Sequence, residues 1–251
     1  MTCRRAVSLK HQIQSILGKF GYRLARADTP AGGLNYFFLL LKQLDFHPRH
    51  IIDVGANHGI WTRTAIKYFP DALYTLLEPQ DNLKVHIQDL LDAGYKIRWI
   101  NAGASDQPGI LPFTISKRDD SSSFALTEEQ AQSAGYQRVA INLKTLNEIA
   151  SSTSDPPPDM VKIDAEGFDL KVLAGASDLF GKTEIFLVEV GICFGYENTL
   201  LEVTKRMASV GYRPLDITDF NRSPKDGLLA LAEVAFIRNE SPLLAGVNSY
   251  E

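Results

Sequence analysis

The sequence predicts an α/β fold built on a doubly wound, mostly parallel sheet. From His50 onward, short runs rich in aliphatic and β-branched residues alternate with amphipathic runs of helical length, which is typical of parallel strands joined by helical crossovers. In IIDVGANHGIWTRTA, glycines follow the first of these short runs and precede a helix-like run. Doubly wound sheets bind ligands at such strand-to-helix turns. We expect a main domain over residues 49–251 and an N-terminal helical extension over residues 1–48 packed on it.

Composition narrows the possible function. The chain has 251 residues, of which 45% are hydrophobic and 22% charged, as in ordinary globular domains. Its net charge of -4 offers no basic surface for nucleic acid, so we expect no nucleic-acid partner. Cys3 and Cys193 are far apart and lack metal-ligand spacing, which argues against a disulfide framework or a zinc site. We expect a cytoplasmic protein without a transmembrane segment, and the oligomeric state stays open.

The first elements are helical. LNYFFLLLKQL, from Leu34 to Leu44, is the richest apolar run in the chain, but it has about half the length needed to span a bilayer. We expect a helix buried against the main domain, with a membrane-surface anchor as the alternative.

The main domain then alternates strands and helices. HIIDVG, ALYTLLE and KIRWINA predict the first three strands, and IWTRTAIKYF predicts the first helix. DNLKVHIQDLLDAG predicts the second helix, because its leucines and isoleucine share one face and Gly94 can end it. The helical face is formed by Leu83, Ile87, Leu90 and Leu91.

Residues 109–150 form an excursion from this alternation. ILPFTI and RVAIN predict extra strands there, and TEEQ at Thr127 to Gln130 matches a capping box that opens a short helix. After it, MVKID and TEIFLVEV predict strands, FDLKVLAGA and TLLEVTKRMASVGY predict helices, and RPLDIT with LALAEVAFIRN predicts a final hairpin.

Two loops are expected to form the substrate walls, the one within this excursion and GICFGYENT. Their serines could donate hydrogen bonds, or act as a flexible linker; their aromatic residues could stack on a ring, or fill the core. The residues concerned are Ser121, Ser122, Ser123, Phe124, Phe194 and Tyr196.

The first strand-to-helix turn predicts a nucleoside site. Asp53, Gly55 and Gly59 form D-x-G-x-x-x-G and not the G-x-G-x-x-G that binds a pyrophosphate, which favours a ligand without phosphates. Glu78 ends the second strand, where such folds place a carboxylate that accepts hydrogen bonds from ribose hydroxyls. The structural alternative is a tight turn with an exposed glutamate on the next strand.

A second polar cluster lies in VKIDAEG. Lys162, Asp164 and Glu166 alternate, so they point one way while the strand lasts, and charges on a buried strand are costly unless paired or functional. Asp164 or Glu166 is the expected general base, and an ion pair of Lys162 is the structural alternative. His58 could serve as the base instead. A divalent cation on Asp164 and Glu189 is possible but not expected.

The motifs IIDVGANHGIWT, LLEP, NAGASDQPGILPFTIS, SSSF and VKIDAEGFDLKVLAGA, in this order, resemble those of FkbM-type S-adenosylmethionine-dependent methyltransferases. The resemblance covers about Asn35 to Arg238. It implies a Rossmann-like class I fold with seven mostly parallel strands, the last antiparallel, and transfer of the sulfonium methyl, usually to a hydroxyl of a sugar or natural product. Glu233 and Ala235 depart from the residues usual in the family's last strand.

The resemblance also implies residue roles. The loop after the first strand would line the methionine moiety of the cofactor: Gly55, Ala56, Asn57 and Gly59. Asp53 would orient that loop or receive the amino group, and Glu78 would hold the ribose. The end of the third strand would meet adenine, through Asn101, Ala102, Ser105 and Asp106. Catalysis is expected at Lys162, Asp164 and Glu166.

Three classes of function follow. The first is O-methylation of a small molecule or glycan, with N-methylation on the same fold as its alternative. The second is a nucleotide-dependent oxidoreductase, which the missing three-glycine fingerprint disfavours. The third is a cofactor-binding protein without catalysis.

Overall fold

A computed structural model describes residues 33–116, 124, 127–193 and 197–245. The substrate-wall candidates Ser121, Ser122, Ser123, Phe194 and Tyr196 lie outside these residues. None of the helices in the described ranges is long and apolar enough to cross a membrane.

Helices and strands alternate along most of the chain. The helices are α1 (Gly33–Gln43), α2 (Ile60–Ile66), α3 (Gln88–Asp92), α4 (Glu128–Ala134), α5 (Leu146–Ser151), α6 (Asp169–Ala174) and α7 (Leu200–Ser209). The strands are β1 (His50–Val54), β2 (Leu73–Leu77), β3 (Ile97–Ile100), β4 (Gly103–Ala104), β5 (Gly109–Ile115), β6 (Gln137–Lys144), β7 (Met160–Ile163), β8 (Ile185–Gly191), β9 (Tyr212–Arg222) and β10 (Leu229–Arg238).

The main sheet has seven strands in the order β3-β2-β1-β7-β8-β10-β9. The pairs from β3 to β8 are parallel, whereas β10 runs antiparallel to both β8 and β9. This confirms the predicted seven-stranded sheet with an antiparallel last strand. The strand order reverses between β1 and β7, so a crevice opens at their carboxyl ends, where doubly wound sheets bind ligands.

Hydrophobic cores cover both faces of this sheet. All five residues of β1 are buried, as expected for a central strand with helices on both faces. Apolar side chains of α5, α6 and α7 pack in one core, and those of α1, α2 and α3 in the other. The strands therefore supply residues to both cores, and the polar residues at their carboxyl ends lie at the crevice.

Helix α1 packs on the same face of the sheet as α2. Phe37, Phe38 and Leu41 are fully buried, and the ring of Phe38 meets that of Trp61 edge-on at 5.4 Å. A Cβ on Gly33 would lie 2.2 Å from the carbonyl oxygen of Thr218 in β9. The buried side of the apolar run thus packs against protein, and the division of the chain at residue 48 stays a prediction.

The excursion forms a small second sheet in the order β4-β6-β5. The predicted capping box is confirmed: Thr127 and Gln130 exchange side-chain and backbone hydrogen bonds at the start of α4. A second capping box, between Thr145 and Glu148, opens α5.

The single helix predicted for DNLKVHIQDLLDAG is wrong. The segment is a 3-10 helix over Asp81–Ile87 followed by the short α3. Backbone angles change at Ile87, where φ is -109° and ψ is 8°. The Ile87 side chain packs against Gly59 of the turn after β1. A Cβ built on Gly59 would lie only 2.5 Å from Ile87 Cγ2. This long-range contact outweighs the local preference for a continuous helix.

Candidate active site

The turn after β1 adopts a backbone that favours glycine. Gly55, Asn57 and Gly59 have φ values of 73°, 45° and 71°, and left-handed angles carry little strain only for glycine. A Cβ on Gly55 would lie 2.0 Å from the carbonyl oxygen of Asp164. The turn is also tied to β2, because the N–H groups of Gly55 and Ala56 each donate to the Leu77 carbonyl at 3.0 Å. The loop is therefore clamped between β2 and the end of β7.

Glu78 is held in one orientation beside this turn. Its Oε2 accepts a hydrogen bond from Asn57 N and its Oε1 one from Gln80 N, both at 2.9 Å. Burial raises the pKa of Glu78, and the two backbone donors oppose that rise. A carboxylate offers about four acceptor positions, so these donors leave capacity for the hydroxyls of a ribose. The residues present thus fit a nucleoside.

A cavity of about 570 Å³ opens at this edge of the sheet. Five of the predicted cofactor residues line it, namely Gly55, Ala56, Asn57, Glu78 and Ala102. So do the predicted catalytic residues Lys162, Asp164 and Glu166, the alternative base His58, and Phe124 from the predicted substrate wall. One cavity therefore joins the glycine turn to the acidic strand end.

Other predicted cofactor residues support the cavity from behind and do not line it. Asp53 is fully buried and accepts a hydrogen bond from the Thr62 hydroxyl at 2.6 Å. Asn101 Nδ2 donates to the carbonyl oxygens of Glu78 and Pro79, which braces the end of β2. Ser105 is buried and donates to its neighbour Asp106. Of the predicted adenine residues, Ala102 lines the cavity.

Lys162 connects β1, the glycine turn and β7. Its Nζ lies 3.4 Å from Asp53 Oδ1 and 3.2 Å from Asp164 Oδ2, and it donates to the carbonyls of Val54 and Gly55. Burial by itself lowers the pKa of Lys162, but Asp164 and Asp53 raise it above the ordinary value. Lys162 is therefore a permanent cation, and the ion pair considered as its structural role is present.

The shared face predicted for Lys162, Asp164 and Glu166 holds only in part. Strand β7 ends at Ile163, and Glu166 has a left-handed φ of 49°, so alternation places Lys162 and Asp164 together but not Glu166. The turn itself carries Glu166 to the cavity. Asp169 supports that turn, because its carboxylate accepts hydrogen bonds from the backbone N–H groups of Ala165 and Gly167.

Carboxyl groups of three adjacent strands form an acidic row at this edge of the sheet, defined here as Asp164, Glu189 and Glu233. Glu233 in β10 lies opposite Glu189 in β8, and Asp164 follows the last residue of β7, which pairs with the residue before Glu189. Burial raises the pKa of Glu233 to about 7. Burial, reinforced by Asp164 and Glu166, raises that of Glu189 to about 10.

The metal alternative needs more ligands than Asp164 and Glu189 supply. Hard divalent cations take about six or more oxygen ligands. Within the described residues, no group of three or more histidine, cysteine or acidic side chains is arranged to hold a metal ion. The pair Asp164 and Glu189 thus lacks further ligands in that part of the chain.

Sequence reasoning missed several residues that line the cavity from α2 and from the β9–β10 hairpin: Trp61, Thr218, Asp219 and Glu233. The signal available for Glu233 was a single charged residue within the apolar run LALAEVAFIRN. Nothing local marks Thr218 or Trp61, because only the long-range packing of the hairpin and α2 brings them to this edge.

Comparison with known proteins finds a matching family model. The family model described as "Methyltransferase FkbM domain" matches residues 53–214. No curated protein sequence matches the chain.

Solved structures of similar shape are distant in sequence. A precorrin-6y C5,15-methyltransferase from Geobacter metallireducens is 12% identical, with 86% of this chain and 93% of that chain covered and a TM-score of 0.46. The 1,6-didemethyltoxoflavin-N1-methyltransferase of Burkholderia thailandensis is 14% identical, with coverages of 94% and 93% and a TM-score of 0.44. The magnesium protoporphyrin IX methyltransferase of Synechocystis is 10% identical, with coverages of 94% and 100% and a TM-score of 0.47.

Proposed function

Because the chain belongs to the FkbM methyltransferase domain family and is therefore an S-adenosylmethionine-dependent methyltransferase, we propose that it methylates a hydroxyl group on a sugar, a glycan or a natural-product small molecule. The glycine turn, with Gly55, Ala56 and Asn57, holds the methionine moiety of the cofactor. Glu78 binds the ribose hydroxyls.

The observation that carries this proposal is one cavity lined by two chemically different sets of residues. One set is the glycine turn with Glu78, and the other consists of the carboxyl groups of Asp164, Glu166, Asp219 and Glu233, which we call the acceptor end. A volume of about 570 Å³ is in the range of small-molecule sites. A cofactor and an acceptor that occupy the same cavity can meet directly, as a methyl transfer requires.

The protein contributes alignment and a proton acceptor to the reaction. When bound, the cofactor supplies a methyl group attached to a positively charged sulfur. Alignment of reacting groups is worth up to roughly 7 to 11 kcal/mol in well-oriented systems, and the clamped turn at Gly55 provides a rigid reference for it. A positioned base contributes about a hundredfold to ten-thousandfold, and the carboxyl groups at the acceptor end can supply one.

The charge of the acceptor end favours neutral acceptors. Among the described residues, Asp164, Glu166, Asp219 and Glu233 line it together with a single lysine or arginine, Lys162, which is already held by Asp53 and Asp164. An acceptor carrying phosphate or carboxylate would face uncompensated negative charge, so an uncharged polyol suits the site. A cationic amine would be attracted too, which keeps N-methylation as the second candidate.

Calorimetry and isotope transfer test the proposal. We expect S-adenosylhomocysteine to bind and NADH not to bind, with Glu78→Gln weakening the binding about tenfold and the exposed control Glu202→Gln leaving it unchanged. Labelled methyl groups from S-adenosylmethionine should then appear on sugars or other hydroxylated metabolites. Label on amines alone would establish the second candidate. Binding without transfer to any acceptor would reject catalysis.

A further inference from the structure

Glu233 is a charged residue in the middle of a buried strand. The three residues after it, Val234, Ala235 and Phe236, are buried in the two cores, whereas Glu233 lines the cavity. Burying a carboxylate is costly unless partners or function compensate. The strand therefore carries a polar group into the acceptor end of the cavity at one position.

The partners of Glu233 fix its carboxylate without neutralising it. The Thr218 hydroxyl, itself buried, donates to Oε1 at 2.5 Å. The indole N–H of Trp61 is buried in the same wall and lowers the pKa of Glu233, although it does not meet hydrogen-bond geometry with any described residue. Both contacts come from uncharged groups, and the Thr218 hydrogen bond uses Oε1.

Asp164 differs in its electrostatics. Its carboxylate forms an ion pair with Lys162 at 3.2 Å, so its charge is already paired with a cation. Glu233 has no cation within ion-pair distance among the described residues. Glu233 is thus held by a neutral hydroxyl donor, whereas Asp164 is held by a cation.

Charged and titratable groups surround Glu233 on three strands. Burial is the main cause that raises its pKa to about 7, Asp164 adds to the rise, and Lys162 opposes it. Glu189 and Asp219 lie opposite it in the register of β8 and β9. A base works best when its pKa lies near the operating pH, and this surrounding set provides that condition.

We propose that Glu233 is the catalytic base of the methyl transfer and that Thr218 positions it. Oε2 of Glu233 accepts the proton of the acceptor hydroxyl as the oxygen–carbon bond forms. The carbon–sulfur bond breaks at the same time, its electron pair stays on the sulfur, and the proton passes from Glu233 to solvent. This inference rests on the proposed function.

Activity and cofactor binding are compared in Glu233→Gln, with Glu240→Gln, an exposed glutamate just beyond β10, as the matched control. The probe is labelled S-adenosylmethionine with the small-molecule fraction of a cell extract. We expect Glu233→Gln to transfer methyl about a hundredfold to ten-thousandfold more slowly, with unchanged affinity for S-adenosylhomocysteine. The wild-type rate should rise with pH around 7, and the variant should lack that rise.

A readout independent of activity is the titration of the Glu233 carboxyl. Carbon-13 NMR of the complex with S-adenosylhomocysteine, assigned by comparison with Glu233→Gln, should show a midpoint near 7. Thr218→Val should move it upward, because the lost hydroxyl donor stabilises the carboxylate.

The outcomes separate the two proposals. Equal transfer by the wild type and Glu233→Gln, or a Glu233 midpoint at the ordinary value of a glutamate, overturns the role of Glu233 and leaves the proposed function in place. A wild-type protein that binds S-adenosylhomocysteine but labels nothing in the extract overturns both.

Discussion

At Gly55, conformation and space both require glycine. Its φ is 73°, and a Cβ would lie 2.0 Å from a backbone oxygen of β7's end. We expect Gly55→Ala to abolish binding of S-adenosylhomocysteine and to lower the free energy of unfolding by about 3 kcal/mol, since a strained backbone costs about 1 to 3 kcal/mol before any clash. Calorimetry and urea denaturation measure the two effects.

Gly181 is the matched control for this substitution. Its φ is 78°, and no atom lies within 4 Å of a Cβ built there. Gly181→Ala should therefore carry only the backbone strain, about 1 to 2 kcal/mol, and bind S-adenosylhomocysteine normally. Similar losses in the two variants would show that the contact with β7 is unimportant.

Individual residues were predictable where the chemistry is local. The positions of Gly55 and Glu78 beside one cavity could be predicted from their spacing, because the turn and the strand end are defined by neighbours in sequence. An orienting role for Asp53 was expected, but its partners Thr62 and Lys162 were not, since only the fold brings them to its carboxylate. Nor could the left-handed backbone of Glu166, because the sequence does not show where β7 ends.

Helix α1 depends on the aromatic cluster around Phe38. This side chain is fully buried and packs edge-on against Trp61 and Phe69. We expect Phe38→Ala to lower the free energy of unfolding by about 3 to 5 kcal/mol. Because Trp61 lines the acceptor end of the cavity, the variant should also lose methyl transfer more than cofactor binding. Denaturation and isotope transfer provide the measurements.

Tyr36 offers the comparison on the same helix. It is 51% exposed, so Tyr36→Ala should change the free energy of unfolding by no more than about 0.5 kcal/mol. A Phe38→Ala protein as stable as Tyr36→Ala would mean that α1 does not need its aromatic cluster.

Elements were predicted well where periodicity is strong and poorly where packing overrides it. The strands from β1 to β3 and the final hairpin follow directly from their apolar runs. The break at Ile87 was not predicted, because it serves a contact with Gly59 that lies 28 positions earlier in the chain (87 minus 59). Strand register, which places Glu189 opposite Glu233, likewise cannot be predicted from either strand alone.

The molecule as a whole should become less stable as pH rises through the neutral range. Glu233 has a pKa of about 7 in the folded protein against an ordinary 4.5, and Asp169 about 6 against 3.8. The folded protein therefore binds more protons than the unfolded chain between these values. Stability from these groups is full below the ordinary pKa and is lost as pH rises through the folded one.

Urea denaturation at several pH values measures this dependence. Between pH 5 and 7, we expect the free energy of unfolding to fall by up to about 1.4 kcal/mol per pH unit for each such group. Glu233→Gln should reduce the slope, whereas Glu240→Gln should keep it. A wild-type stability that rises over this range would contradict the burial of these carboxyl groups.

The fold was predictable as a whole, and the cavity was not. Alternating strands and helices suffice to predict a doubly wound sheet, since such connections have few allowed topologies. The cavity also needs Gly33 of α1 against Thr218 of β9, residues from opposite ends of the described chain. No pattern within either segment predicts the contact between Gly33 and Thr218.

The β9–β10 hairpin makes the cavity one of the last features that translation can complete. Strands β1, β2, β7 and β8 precede the hairpin in the chain, so the ribosome releases the glycine turn and Glu78 before Thr218 and Glu233. Because β10 inserts between β8 and β9, the edge of β8 stays unpaired until the hairpin has been synthesised.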